Sequence, residues 1–207
     1  MKKTMLLLII AAAVLAANTA STPVVPAAAH PSPPPPEEYE FYWDDGIMVS
    51  AWTWFTGGNY WAVQFDEEKT DGDEGYVTRV CAMTYAGWPD STFQGFNMYI
   101  FGGPGGDPLW WGHLQFTAGG VYQCIDVEPP QPVPATFFVA AEQIGNYPNC
   151  DAIGVDAVAG THNWTCYQGS WGPVTHYGDF MIRCYWDGEI EEDRVSDATW
   201  GSIKALY

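Results

Sequence analysis

Four groups of residues in this 207-residue chain have side chains suited to chemistry, and each has a plainer structural reading beside it. Asp71-Gly72-Asp73-Glu74-Gly75 places carboxylates on a flexible turn, the hard oxygen chemistry that Ca²⁺ takes. It lacks the spacing of a full EF-hand loop, and with Asp66, Glu67 and Glu68 nearby it also reads as a solvated acidic loop. Calcium held by Asp71, Asp73 and Glu74 is the one cofactor the sequence offers. Asp44-Asp45-Gly46 presents two acids, the pair that glycoside hydrolysis needs on either side of a sugar bond. Adjacent side chains of a strand point to opposite faces, so these two meet one substrate only if a turn intervenes. Glu142 and Asp156 are candidate second acids, and nothing in the sequence brings them to Asp44.

Cys150, His162, Cys166 and His176 suit Zn²⁺, but their separations of 12, 4 and 10 positions do not match a compact zinc knuckle. A Cys150–Cys166 disulfide would abolish such a site. There is no Gly-x-Ser-x-Gly elbow, so a serine hydrolase has no support. The fourth group is aromatic: Trp52 with Trp54, and Trp110 with Trp111, lie near expected turns. In strands the first pair shares a face and the second does not. Exposed rings stack on sugars, whereas filling a core is the commoner fate of large aromatics.

The elements that must position these groups read as strands. Short apolar runs fall near 40–44, 48–55, 59–65, 76–85, 94–101, 110–116, 120–127, 135–143, 151–156, 163–168 and 178–186, separated by Gly, Pro, Asn and Asp. Phe96, Met98 and Ile100 alternate onto one face, as do Phe180, Ile182, Cys184 and Trp186. The body contains no amphipathic helical run. About ten short strands so punctuated predict an all-β, antiparallel two-sheet β-sandwich of jelly-roll-like form over residues 39–187. The composition agrees, with 11 Trp, 12 Tyr, 10 Phe and 22 Gly.

Met1 to Ala20 read as an export signal: Lys2 and Lys3, then the uncharged run of 12 residues from Leu6 to Ala17, then small residues. That run is too short for the roughly 20 residues of a membrane span. Residues 21–38 form a Pro/Ala-rich linker, with four consecutive prolines from Pro33 to Pro36 favouring an extended spacer. Residues 188–207 are an acidic linker and tail, in which Trp200, Ile203 and Tyr207 fit one stripe of a short helix. The expected location is outside the cytoplasm, secreted or at the cell surface, where disulfides persist. Of five cysteines, Cys150 and Cys166 are the favoured pair, because 15 intervening residues with Gly154 and Gly160 could form a hairpin. Cys81 with Cys184 is the second pairing, from two strand-like segments, which leaves Cys124 as a buried thiol.

A net charge of -18 repels phosphate backbones, which excludes nucleic acid as a natural partner. The expected partner is an extracellular protein or glycan. Tyr42-Trp43-Asp44-Asp45-Gly46, then Phe137 to Gln143 leading to Ile153-Gly154-Val155-Asp156, then Gly178-Asp179-Phe180-Met181-Ile182-Arg183 occur in an order that resembles a known domain. It is a jelly-roll-like β-sandwich of secreted, mostly uncharacterised proteins from uncultivated bacterial phyla, and the tail from Thr199 to Tyr207 is similar to short Trp-Gly tails of such exported proteins. The resemblance implies an accessory or surface module and no established activity. The leading expectation is therefore a secreted, non-enzymatic surface or interaction module. A carbohydrate-binding module using Trp52, Trp54, Trp110 and Trp111 is the alternative, and a glycoside-active enzyme comes third.

Overall fold

Alternating apolar residues with turn formers between them give strands whose one face must be buried, and two such sheets bury each other. The computed structural model describes residues 39–89, 93–175 and 178–188. The leader, the linker, the tail with its Trp200 stripe, and His176 lie outside the described residues.

The strands are β1 (Tyr39–Phe41), β2 (Ser50–Trp52), β3 (Tyr60–Phe65), β4 (Gly75–Pro89), β5 (Phe96–Phe101), β6 (Pro108–Leu114), β7 (Tyr122–Val133), β8 (Phe137–Gln143), β9 (Asp151–Ala159), β10 (Asn163–Tyr167), β11 (Ser170–Pro173), β12 (Gly178–Phe180) and β13 (Ile182–Asp187). They form a β-sandwich. One sheet of seven strands runs β1-β13-β4-β9-β12, with β2 on β9 and β7 on β4; the other, of six, runs β11-β10-β3-β8-β5-β6. All pairings are antiparallel. Successive segments pass repeatedly from one sheet to the other, as a jelly-roll-like path requires.

The core between the sheets takes Trp61, Val63 and Phe65 from β3, Phe96, Met98 and Ile100 from β5, and Phe137, Val139 and Ala141 from β8. Opposite them lie Val77, Val80 and Ala82 of β4 with Ile182, Cys184 and Trp186 of β13. Both alternations expected from the sequence are met. Gly75 belongs to this packing, because a Cβ there would fall 2.3 Å from the Trp186 ring.

Among the described residues thirteen strands replace the expected ten or so. Residues 169–173 read as a turn, yet β11 starts there, because Gln168 and Gly169 both take positive φ and close a tight hairpin back onto β10. β7 continues through Pro129, Pro130 and Pro132, which an edge strand tolerates because its outer N–H groups have no ladder partner. One four-residue helix, α1 (Glu67–Thr70), is capped by Asp66, whose side chain accepts from the Glu68 N–H.

The disulfide expectations are corrected. Cys81 bonds to Cys124, directly opposite it on β4 and β7 with Cα atoms 4.1 Å apart. Cys184 pairs across the ladder with Val80, whereas Cys81 pairs with Arg183, so Cys81 and Cys184 project to opposite faces of the sheet. Cys150 lies just before β9 and Cys166 within β10, and these two strands belong to different sheets rather than forming a hairpin. Cys150, Cys166 and Cys184 are buried thiols, and Cys124, expected to be buried, is exposed.

Candidate functional site

Because Trp61, Val63 and Phe65 of β3 point inward, Tyr60, Ala62 and Gln64 point out; the same alternation turns Phe138, Ala140 and Glu142 of β8 and Asn97, Tyr99 and Phe101 of β5 outward. Register then assembles rows across the outer face of the six-stranded sheet. One row is Trp171, Cys166, Tyr60, Glu142, Asn97 and His113; the next is Pro173, Trp164, Ala62, Ala140, Tyr99 and Trp111. The two alanines leave a low centre into which larger rings lean. Trp171 stacks on Tyr60 at 5.8 Å between centroids and meets Phe101 edge-on at 5.3 Å, and Tyr60 meets Tyr99 edge-on at 5.3 Å. Trp164 stands against Phe138 and donates its Nε1–H to Gln64 Oε1 at 3.0 Å.

A polar line runs beside these rings. Glu142 Oε2 accepts from Tyr99 Oη at 2.8 Å and from Asn97 Nδ2 at 3.0 Å, and His113 Nδ1 lies 3.3 Å from Asn97 Oδ1. Burial, then the Glu142 carboxylate that prefers its donor to keep its proton, raises the Tyr99 hydroxyl above the ordinary tyrosine range. Trp111, opposite Tyr99 in the ladder, is 62% exposed. A free indole face next to hydrogen-bonding groups held in place by their neighbours suits a polyhydroxylated ring, which offers C–H groups on its faces and hydroxyls at its rim. These rows hold no second carboxylate, so they lack the pair that glycoside hydrolysis uses.

Of the four tryptophans singled out in the sequence, Trp111 alone is on this surface. Trp110 turns inward against the core, and Trp52 and Trp54, 5.0 Å apart, pack on Phe180 and Trp61. Tyr60, Tyr99, Glu142, Asn97, Trp164 and Trp171 were not chosen as a set, because only strand register shows that they share a face.

Asp71, Asp73 and Glu74 build a turn. Asp71 ends α1 in the left-handed region with φ 56°, Gly72 follows at φ 85°, and the Asp73 N–H donates to Thr70 O. Among the described residues no group of three or more His, Cys, Asp or Glu side chains converges to hold a metal ion. His162 lies against Asp66, with Nε2 3.5 Å from Oδ2, and stacks on Trp43 at 3.7 Å; Cys166 is on the outer rows and Cys150 contacts Thr53.

The acids at Asp44 and Asp45 divide as adjacent residues should. Asp44 is buried and takes both Nε and Nη2 of Arg183, at 3.0 and 2.5 Å, while Asp45 is exposed. Here the structure supplies what the sequence did not: Asp156 Oδ2 accepts from the Asp45 N–H at 3.2 Å, and Asp156 Oδ1 from the Asp179 N–H at 2.7 Å. Burial, then the neighbouring Asp156 and Asp44 charges, push the Asp179 carboxyl up to about 6. Asp179 is held so closely that a Cβ on Gly160 would lie 1.5 Å from its Oδ1. These buried, backbone-bonded acids tie β9, β12 and the loop after β1 together and present no open face to a substrate. Comparison of the chain with protein-family models, with curated proteins and with solved structures found no match.

Proposed function

We propose that the chain is a secreted, non-enzymatic interaction module that binds a neutral glycan on the outer face of its six-stranded sheet. The observation that carries this reading is the exposed Trp111 beside the hydrogen-bonded line Tyr99, Glu142, Asn97 and His113. The charge of -18 favours an uncharged polymer over an anionic one. Export is supported by the leader from Met1 to Ala20, and a Cys81–Cys124 disulfide is compatible with a compartment outside the reducing cytoplasm.

Calorimetric titration with hydroxyethylcellulose, xylan and galactomannan tests the reading. Binding to one of them that Trp111→Ala weakens about tenfold, roughly 1.4 kcal/mol, is the expected result. Binding to none of the three, or binding unchanged in Trp111→Ala, counts against it.

A further inference from the structure

We propose a second, separate binding site for a neutral sugar chain at the loop end of the sandwich, centred on Phe55, Tyr147, Trp88 and Tyr85. These four rings follow one another at 5.9, 6.3 and 6.4 Å between centroids. Phe55 is 85% exposed, Tyr147 44% and Trp88 39%. Contiguous exposed aromatic surface on a folded domain marks a contact site, because leaving it in water forgoes burial that the core could have used.

The rings are fixed in place. The Tyr147 N–H donates to Phe55 O at 3.3 Å and the Gly57 N–H to Asn146 Oδ1 at 2.8 Å, which ties the β2–β3 loop to the β8–β9 loop. A side chain at Gly57 would fall 2.5 Å from Ile144 O, so the two backbones pack directly on each other. A site whose loops are ordered before the ligand arrives loses less entropy on binding. Tyr85 and Trp88 also wall an open cleft of about 290 Å³ whose other side includes Ser50, a size that takes a unit of a sugar chain.

The chemistry of the loops selects the ligand. Residues 47–60, 85–89 and 143–150 contain no Asp, Glu, Lys or Arg, in a chain that has 25 acidic residues. Within these stretches the side chains that can meet a ligand are rings, amides and hydroxyls rather than charges. Flat rings bordered by the amide of Asn146 and the hydroxyl of Ser50 match the C–H faces and hydroxyls of an uncharged saccharide. The observations are independent of the sheet face, so either site stands without the other.

The test uses the full-length exported protein on affinity gels containing hydroxyethylcellulose, xylan or galactomannan, with sedimentation on phosphatidylcholine vesicles in parallel. Phe55→Ala and Trp88→Ala are expected to weaken retardation by one of the polymers at least fivefold while the melting temperature of Phe55→Ala stays that of the parent. In the Trp111→Ala background the loss adds to that of the sheet face. Retardation unchanged in both loop variants overturns the loop site and leaves the sheet-face reading intact. Sensitivity to the loop variants with none to Trp111→Ala upholds the loop site and overturns the sheet face. No retardation by any polymer, with or without co-sedimentation with vesicles, overturns it as well.

Discussion

Tyr99 and Glu142 are joined diagonally across β5 and β8. Register sets Tyr99 opposite Ala140 and Asn97 opposite Glu142, yet the Tyr99 hydroxyl reaches Glu142 Oε2 at 2.8 Å. The small side chain of Ala140 leaves room for the phenol to lean along the strand, and the shared acceptor makes Tyr99 and Asn97 report on one carboxylate.

Replacing Tyr99 by Phe removes one of the two bonds to Glu142 and keeps the ring. A hydrogen bond to a charged acceptor contributes about 1.5–3 kcal/mol when well buried, and this one is partly exposed, so the expected loss is about 1 kcal/mol. Urea unfolding of Tyr99→Phe measures it. A midpoint equal to the parent's would show that solvent replaces the phenol at no cost.

Arg183 is the opposite case, a buried cation between aromatic faces. Its guanidinium lies 4.6 Å from the Tyr42 ring centroid and 4.1 Å from that of Tyr122, bonds twice to Asp44 and reaches Glu40 at 3.2 Å. Arg183→Met leaves the Asp44 carboxylate buried without its counter-charge and is expected to cost about 3–5 kcal/mol. Asp44→Asn combined with Arg183→Met removes both charges, and its loss should fall well short of the two single losses added together. Strict additivity in chemical denaturation would mean that the two residues act independently.

The cysteine assignment has a direct chemical check. In unfolded, unreduced protein three of the five cysteines are expected to react with iodoacetamide, and peptide mapping should leave Cys81 and Cys124 unmodified. With a separation of 43 in sequence, the chain-entropy model gives about 4 kcal/mol for this bridge, so Cys81→Ala/Cys124→Ala should melt well below the parent. Protection of Cys150 and Cys166 instead would restore the hairpin pairing expected from spacing.

The two-sheet sandwich was legible because local patterns carry it. Phe96, Met98 and Ile100 alternate, and each strand's inward face can be read within the strand itself. The partnership between strands has no such local signature. Cys81 is nearer in character to Cys184 than to Cys124 until register puts Arg183 opposite it, and Trp171 falls in a Gly-rich stretch that looks like a turn until Gln168 and Gly169 close the hairpin. The rows on the outer face of the six-stranded sheet draw one residue from each of six strands, so no window of sequence contains them. Trp111 was visible as one of an adjacent pair; that the two face opposite ways followed from strand alternation, but which of them is exposed did not.

Asp179 links that register to pH. It is 5% exposed, its Oδ1 accepts from Asn163 Nδ2 at 3.2 Å, and burial with Asp156 and Asp44 nearby lifts its carboxyl to about 6 from an ordinary value near 4. Because the folded pKa is the higher one, the folded protein keeps a proton that the unfolded chain has already released. The stabilisation from this group is complete below about pH 4 and is lost as pH rises through about 6. Asp179→Asn keeps an acceptor for Asn163 and removes the charge. It should therefore be more stable than the parent at pH 8, by about 1–3 kcal/mol, with little difference at pH 4. Comparing the two proteins at each pH cancels the general repulsion of an acidic chain, which both share. A variant less stable than the parent at pH 8, or shifted equally at both, would mean that Asp179 is ionised and held by its neighbours' hydrogen bonds despite the two carboxylates beside it.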